Sequence, residues 1–392
     1  MINTTSYTVT LSSYSIGADA YKQIPHAARF LGKNVVVIGG KTALSKAKDA
    51  IIEGVAGADI KILDFIWYGG ECTHENSHML MELPAVQQAD IIFAVGGGRA
   101  IDTVKYAAHL MDKPLFTFPT VGSNCAAFSA QAIMYYPGGS YRGNFPTKPC
   151  NHCFINSAII ADSPEPLFWA GIGDALSKEF EVVFASQDDQ LFHTTLLGQQ
   201  ISRVCTAPIL ENGKKALEDF RAHRNSFELI QVILDIIIST GLASNLTTTE
   251  DNAYYYNSML AHCVYYGSTV TKKGHNHLHG EVVALGTLVQ VAYASDMDMV
   301  KRLMDFNYSI GLPVCFDDVE IEEDEFETMY EKFKTSAGWK HKPKCVNKER
   351  FFEVMKEVNA LGRAYKAQKS TSLRGEAGKI SQKAVDSSQA LW

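Results

Sequence analysis

An excess of basic charge is missing from this sequence: 36 Lys and Arg stand against 43 Asp and Glu, a net charge of −7. Chains that grip nucleic acid or anionic lipid are usually basic, so neither is an expected partner. Also missing is an apolar run of the roughly 18–20 residues that a membrane helix needs. The most apolar stretch, Leu229 to Ser239, is interrupted by Asp235. Met1-Ile2-Asn3-Thr4-Thr5 has no basic region leading into an apolar block, so no secretory signal is read there. The eight cysteines lack the close spacing of a disulfide framework. Cys150 and Cys153 form one CxxC with no second pair to complete a zinc knuckle. These absences lead to the expectation of a cytoplasmic globule with reduced thiols. No internal repeat is found.

What is there suffices for a large core. The 392 residues are 46% hydrophobic and 20% charged, which excludes disordered and fibrous classes and suits two domains. Residues 1–163 alternate short β-branched runs with amphipathic stretches. Strands are expected at 34–38, 59–66, 90–95, 114–118 and 154–161, and helices at 42–55, 74–89 and 100–111. Apolar strands each followed by a helix imply a parallel sheet with right-handed crossovers. A further extended piece, 132–136, ends at Pro137-Gly138-Gly139, which reads as a hairpin turn. Residues 164–367 show helical periods only, at 165–187, 193–211, 225–240, 250–268, 278–295, 298–309, 321–335 and 347–367. The expectation is therefore an α/β nucleotide-binding domain followed by an all-α domain for metal and substrate, with a cleft between them. Residues 368–392 read as a polar, loose tail.

Three stretches could carry chemistry. Gly96-Gly97-Gly98-Arg99 ends an apolar strand and opens a helix. Such a turn lets backbone approach a ligand closely, and the helix's free amides favour a phosphate. It is neither the GxGxxG fingerprint, since the sixth position is Ile101, nor a P-loop. The second stretch is His275-Asn276-His277-Leu278-His279-Gly280-Glu281, with His262 upstream. Two imidazoles from separate segments plus a carboxylate would hold zinc or ferrous iron with one place open, but periodicity does not select among these histidines. The third, His74-Glu75-Asn76-Ser77-His78, matches HExxH; it falls on a crossover helix that covers the sheet's face, so a surface helix is expected there.

Read in order, Gly96–Lys105, Phe118–Asn124, Gly171–Lys178 and Leu278–Glu281 resemble the iron-containing, metal-dependent group III alcohol dehydrogenases over roughly residues 10–365. The glycerol dehydrogenase branch is the most similar. The resemblance implies a Rossmann-like N-terminal domain, a helical C-terminal domain and NAD or NADP in the cleft. It implies one divalent metal on Asp174, His262 and His279: zinc is favoured, because Lys178 stands where iron-type members have another histidine, with ferrous iron as the alternative. It further implies pyrophosphate binding at Gly97 and Gly98, with Arg99 in the usual lysine place, and cofactor contacts from Thr120, Ser123, Ser129, Gln131 and Tyr135.

Two departures redirect the expectation. The strand ending Val37-Ile38-Gly39-Gly40-Lys41 lacks the acid that takes ribose hydroxyls, so a 2′-phosphate is not repelled and Lys41 could attract it. Cys125 stands where glycerol dehydrogenases place a polyol-binding aspartate. Both features are similar to the hydroxycarboxylate dehydrogenases, which reduce 2-oxo acids with NADPH. The expected reaction is hydride transfer between a small 2-hydroxy acid and its 2-oxo acid, with glycerol and dihydroxyacetone as the alternative and a dehydroquinate synthase-like cyclase further off. His275 is the candidate proton relay, Arg142 and Lys148 are cations that could meet the carboxylate, and a homo-oligomer is expected.

Overall fold

The computed structural model describes residues 9–249 and 254–389, with side chains described through residue 371. Eight strands form among the described residues: β1 Ser13–Ile16, β2 Asn34–Gly39, β3 Lys61–Trp67, β4 Ile91–Gly96, β5 Leu115–Pro119, β6 Gln131–Tyr135, β7 Tyr141–Pro146 and β8 His152–Ile155. Six make one sheet in the order β1-β8-β5-β4-β2-β3, and every pairing in it is parallel. β6 and β7 make the separate antiparallel hairpin that Pro137-Gly138-Gly139 foretells.

The strand order fixes where a ligand can sit. β2 leads through the helix Lys41–Val55 to β3 on one side, and β4 leads through the helix Gly98–Leu110 to β5 on the other. The two helices cover opposite faces. Ala47, Ile51 and Val55 pack with Val35, Val37, Phe93 and Val95, whereas Ile101, Val104 and Ala108 pack with Val36, Ile38, Ile92 and Ala94. The carboxyl ends of β2 and β4 therefore border a crevice at a topological switch point, the usual ligand site of an open α/β sheet.

Some expectations need correction. The run 154–161 is not one strand: β8 ends at Ile155 and Ser157–Ala161 is helical. Asn156 makes the break, its side chain accepting from the amides of Ala158 and Ile159 as an N-cap, a contact of about 1 kcal/mol. The stretch 74–89 is two helices, His74–Met81 and Pro84–Gln88, because Pro84 favours a first turn. Helix Leu260–Ser268 begins later than the period suggests, and ahead of it Thr248 and Tyr255 form an isolated bridge; residues 250–253 lie outside the described residues. The last helix, Lys348–Gln389, runs on through the segment read as a loose tail, which holds no proline to stop it; residues 390–392 lie outside the described residues.

From Ser157 onward the elements among the described residues are helices. The apolar stretch around Leu229 is longer than it reads. Phe227–Leu246 winds continuously through a π turn at Asp235–Ser239 and is long and apolar enough, by composition, to cross a membrane. It is a core element here, with 67% of its most apolar window buried inside the protein. All eight cysteines are free, Cys150 and Cys153 among them.

Candidate active site

Three helices bring the metal-ligand candidates together. Asp174 lies near the end of Glu165–Ala175, His262 in the first turn of Leu260–Ser268, and His279 at the start of His279–Tyr293. The helices cross in backbone contact because glycines remove the side chains between them. A Cβ on Gly280 would lie 1.8 Å from the Ala170 carbonyl oxygen, and one on Gly173 would lie 2.4 Å from that of Gly280. Glu281 then caps the third helix: its carboxylate accepts from the Leu278 amide at 3.0 Å and pairs with His277 Nδ1 at 2.9 Å. In Leu278-His279-Gly280-Glu281, the histidine thus offers a ligand atom, the glycine permits the close approach, and the glutamate caps the helix.

The donor atoms converge. His279 Nε2 stands 3.1 Å and His262 Nε2 3.6 Å from the same oxygen, Asp174 Oδ1, and one donor atom from each residue lies within 4.8 Å of the others. Ligands about 2.1 Å from a tetrahedral ion are about 3.4 Å from one another, so these separations match a zinc-sized ion. No other such cluster of three or more exists among the described residues. Fully buried Glu181 supports the set: its Oε2 takes His262 Nδ1 at 2.7 Å and its Oε1 takes the amides of Met259 and His262 at 2.7 and 2.9 Å. With Nδ1 so engaged, His262 presents Nε2 to the cluster, a carboxylate–imidazole arrangement typical of metal-binding histidines. Burial alone would raise the Asp174 carboxyl; His279, His262 and the Lys178 ammonium outweigh it and hold it below the usual range. Asp174, His262 and His279 fit a catalytic divalent ion, with one carboxylate and two imidazoles leaving a place for substrate.

The cofactor candidates lie across the crevice. Gly96 adopts φ +147°, a conformation glycine favours, and the helix Gly98–Leu110 starts immediately after Gly97. The loop after β5 packs onto this turn. The Thr120 amide donates to the Gly96 carbonyl at 3.1 Å, and side chains added at Gly97 and Gly98 would each meet that loop at 3.0 Å, on Val121 and Asn124. The Arg99 guanidinium lies 5.8 Å from the centre of the Tyr135 ring. Ser123 and Cys125 are half-buried in the loop, Ser129 is buried, and Gln131 and Tyr135 begin and end β6.

Buried Lys105 holds this wall in place. Its Nζ donates to the carbonyls of Ala126 at 2.7 Å and Ser129 at 3.1 Å and pairs with buried Asp102 at 2.9 Å. Asp102 in turn accepts from the Ile133 amide at 3.1 Å.

Other candidates stand elsewhere. His275 is exposed on a 3-10 turn, with Nδ1 on the Thr271 carbonyl at 2.9 Å, and the fold does not bring it into the ligand cluster. Arg142 lies over Tyr136 at 5.1 Å and near Glu75, while Lys148 pairs with Asp112 at the surface. His74 stacks on Tyr106 at 4.6 Å and His78 is exposed, as a surface helix requires. Sequence reasoning missed Glu181 and Tyr265. Tyr265 meets the His279 ring edge-on at 4.1 Å and lies within electrostatic reach of both Asp174 and Arg99, linking the two sides of the crevice. Its spacing three residues after His262, on the same helix face, was the available signal.

Comparison with known proteins agrees with this fold. The family model described as iron-containing alcohol dehydrogenase matches residues 12–150. A glycerol dehydrogenase of Pseudomonas putida is 30% identical over 319 residues, 79% of this chain and 84% of that protein. Hydroxycarboxylate dehydrogenase A of Escherichia coli is 28% identical over 294 residues, 73% of this chain and 77% of that one. The crystal structure of glycerol dehydrogenase from Schizosaccharomyces pombe superposes with a TM-score of 0.81 at 22% identity, covering 93% of this chain and 94% of that one, so it shares the fold. With a sheet-edge glycine turn facing an aspartate–histidine cluster and a relative this similar along most of its length, the chain belongs to the iron-containing alcohol dehydrogenase family, as a metal-dependent alcohol oxidoreductase of the glycerol dehydrogenase type.

Proposed function

We propose that this oxidoreductase interconverts a small 2-hydroxy acid and its 2-oxo acid, using NADP(H) at least as well as NAD(H) and a zinc ion on Asp174, His262 and His279. The observation that carries the substrate class is Cys125. Burial raises its thiol, and the charges that act on it most are Lys178 and then Asp174. The side chain at position 125 is thus an uncharged thiol where an aspartate would serve a polyol. A protonated thiol is a weak hydrogen-bond partner for neighbouring hydroxyls, and it does not repel a carboxylate.

When bound, the divalent ion polarises the substrate oxygen and the nicotinamide C4 gives or takes the hydride. The chain supplies the rest. Glu181 fixes the orientation of His262, and the Gly97 and Gly98 turn places helix amides for the pyrophosphate. Thr120, Ser123, Ser129, Gln131 and Tyr135 would hold the rest of the cofactor, and Arg99 would add positive charge beside the phosphates. For the 2′-phosphate, Lys41 stands at the head of its helix with Nζ 4.5 Å from the centre of the Trp67 ring, and no acid ends β2. The likeness to the Pseudomonas glycerol dehydrogenase favours a second reading, oxidation of glycerol.

Steady-state kcat/KM with zinc-loaded enzyme and each cofactor separates the two. A panel of small 2-oxo acids should outperform glycerol and dihydroxyacetone, and Cys125→Asp should weaken the acid reaction about tenfold or more, equivalent to about 1.4 kcal/mol. Efficient glycerol oxidation with inert 2-oxo acids would establish the second reading instead.

A further inference from the structure

Neither Arg142 nor Lys148 stands beside the ligand cluster, yet the cluster has a cation of its own. Lys178 lies one helical turn beyond Asp174, in the first turn of the helix Ser177–Ala185, and is 4% exposed. Its Nζ donates to the Asn257 carbonyl at 2.8 Å and to Asn257 Oδ1 at 2.7 Å. An ammonium has three N–H donors, and Asn257 takes two of them. Both partners are neutral, and among the described residues no carboxylate lies within ion-pair distance of Lys178, which is unusual for a buried lysine. Its charge nevertheless reaches Asp174, Glu181, His262 and Cys125.

The charge balance of this pocket points to a missing anion. Asp174 and Glu181 are the buried carboxylates around it, each holding an imidazole. Set against them are the Lys178 ammonium and the two charges of the ion that the ligand set fits. One positive charge is left over beside the buried side chains of Asp174, Glu181 and Lys178, where an uncompensated charge is costly. An aspartate at position 125 would cancel it, but the residue there is cysteine. A monoanionic substrate would cancel it as well.

We infer that Lys178 is the cation that receives the substrate carboxylate, with its third N–H bond reaching over the Cys125 side of the pocket, and that it sets the preference for 2-oxo acids over neutral carbonyls. The inference rests on the substrate class proposed above and adds the residue that recognises it. Because Asn257 anchors the other two N–H bonds, the ammonium is already positioned before substrate arrives, which lowers the ordering cost of binding.

The test compares pyruvate with pyruvamide, its neutral amide, in zinc-loaded enzyme at saturating cofactor, alongside titration of the unreactive anion oxamate. In the wild type, kcat/KM should favour the acid. Lys178→Met should lower the acid-to-amide ratio by about ten- to a hundredfold and weaken oxamate binding in step, whereas Lys178→Arg should retain most of both. Asn257→Asp, which supplies the ammonium with an internal carboxylate, should move ratio and oxamate affinity in the same direction as Lys178→Met even if the latter fails to fold. Metal content by elemental analysis accompanies each variant, because a merely structural role would lower metal and amide activity together and leave the ratio in place. A ratio unchanged in both Lys178→Met and Asn257→Asp overturns the inference while leaving the substrate class intact. A wild type inert toward every 2-oxo acid and blind to oxamate overturns both.

Discussion

The sheet half and the helical half both depend on glycine at their working ends, but for opposite reasons. At the carboxyl ends of β2 and β4, Gly40 borders open space and Gly97 meets only a side chain, although Gly39 just before Gly40 already lies against backbone, the Val95 carbonyl oxygen 2.3 Å from where its Cβ would be. A Cβ on Gly40 would find its nearest neighbour 3.8 Å away, and one on Gly97 would meet a single Val121 methyl at 3.0 Å. In the helical half, glycine removes space. Cβ atoms on Gly171 and Gly286 would fall 2.1 and 2.3 Å from the carbonyl oxygens of Gly122 and Ala261, much as at Gly173 and Gly280. The first group leaves backbone amides accessible to a ligand; in the second, Gly173, Gly280 and Gly286 set the distances between three ligand-bearing helices and Gly171 seats one of them on the loop after β5. Substitution should therefore damage cofactor binding in one half and metal binding together with stability in the other.

The largest expected effect is at the ligands themselves. Asp174→Ala, His262→Ala or His279→Ala should each lose bound metal and reduce turnover by about a thousandfold or more while the circular dichroism of the fold persists, whereas His74→Ala should leave metal content unchanged. Next comes Gly280→Ala, in which backbone must move to admit the methyl group. Denaturant unfolding should show a loss of about 3 kcal/mol, with metal lost in parallel; an unchanged midpoint would remove the basis of the comparison. Glu181→Gln keeps the shape but weakens the hold on His262 Nδ1, and chelator competition should show metal affinity down by about 10–100-fold.

The sheet-half variants should spare stability. Gly40→Asp has room for its side chain and should shift the NADP(H)-to-NAD(H) ratio of kcat/KM toward NAD(H) by about 1–3 kcal/mol, the worth of one charged hydrogen bond gained or lost. Strong NAD(H) selectivity in the wild type would contradict its premise. The smallest effect belongs to Gly97→Ala, where the Val121 methyl can yield: the cofactor KM should rise by about tenfold or less with the unfolding midpoint unmoved.

How much of this could be read beforehand follows the same division. β2, β4 and β5 are apolar on both faces, so their runs identify them, and the glycine turn is contiguous in sequence. β1, Ser-Tyr-Ser-Ile, is too short and polar to stand out, and only pairing with β8 makes it a strand. The ligand set became specific through resemblance, since nothing local distinguishes His279, a metal-ligand candidate, from His277, which pairs with Glu281. Glu181 was hidden because its partners come from residues about 80 positions along the chain. The close-approach glycines were hidden for the same reason: a glycine inside a helix reads as a weakness until the neighbouring backbone is in view.

Lys105 has a consequence for how the enzyme chooses among substrates. By gripping the carbonyls of Ala126 and Ser129 from a helix that begins at the glycine turn, it makes the Cys125 loop part of the scaffold. A wall held from behind by a buried ion pair behaves like a mould: replacing one side chain on its surface alters the chemistry it presents without altering its outline. On the substrate reading proposed for Cys125, a single exchange at position 125 should change selectivity with the loop around it unchanged.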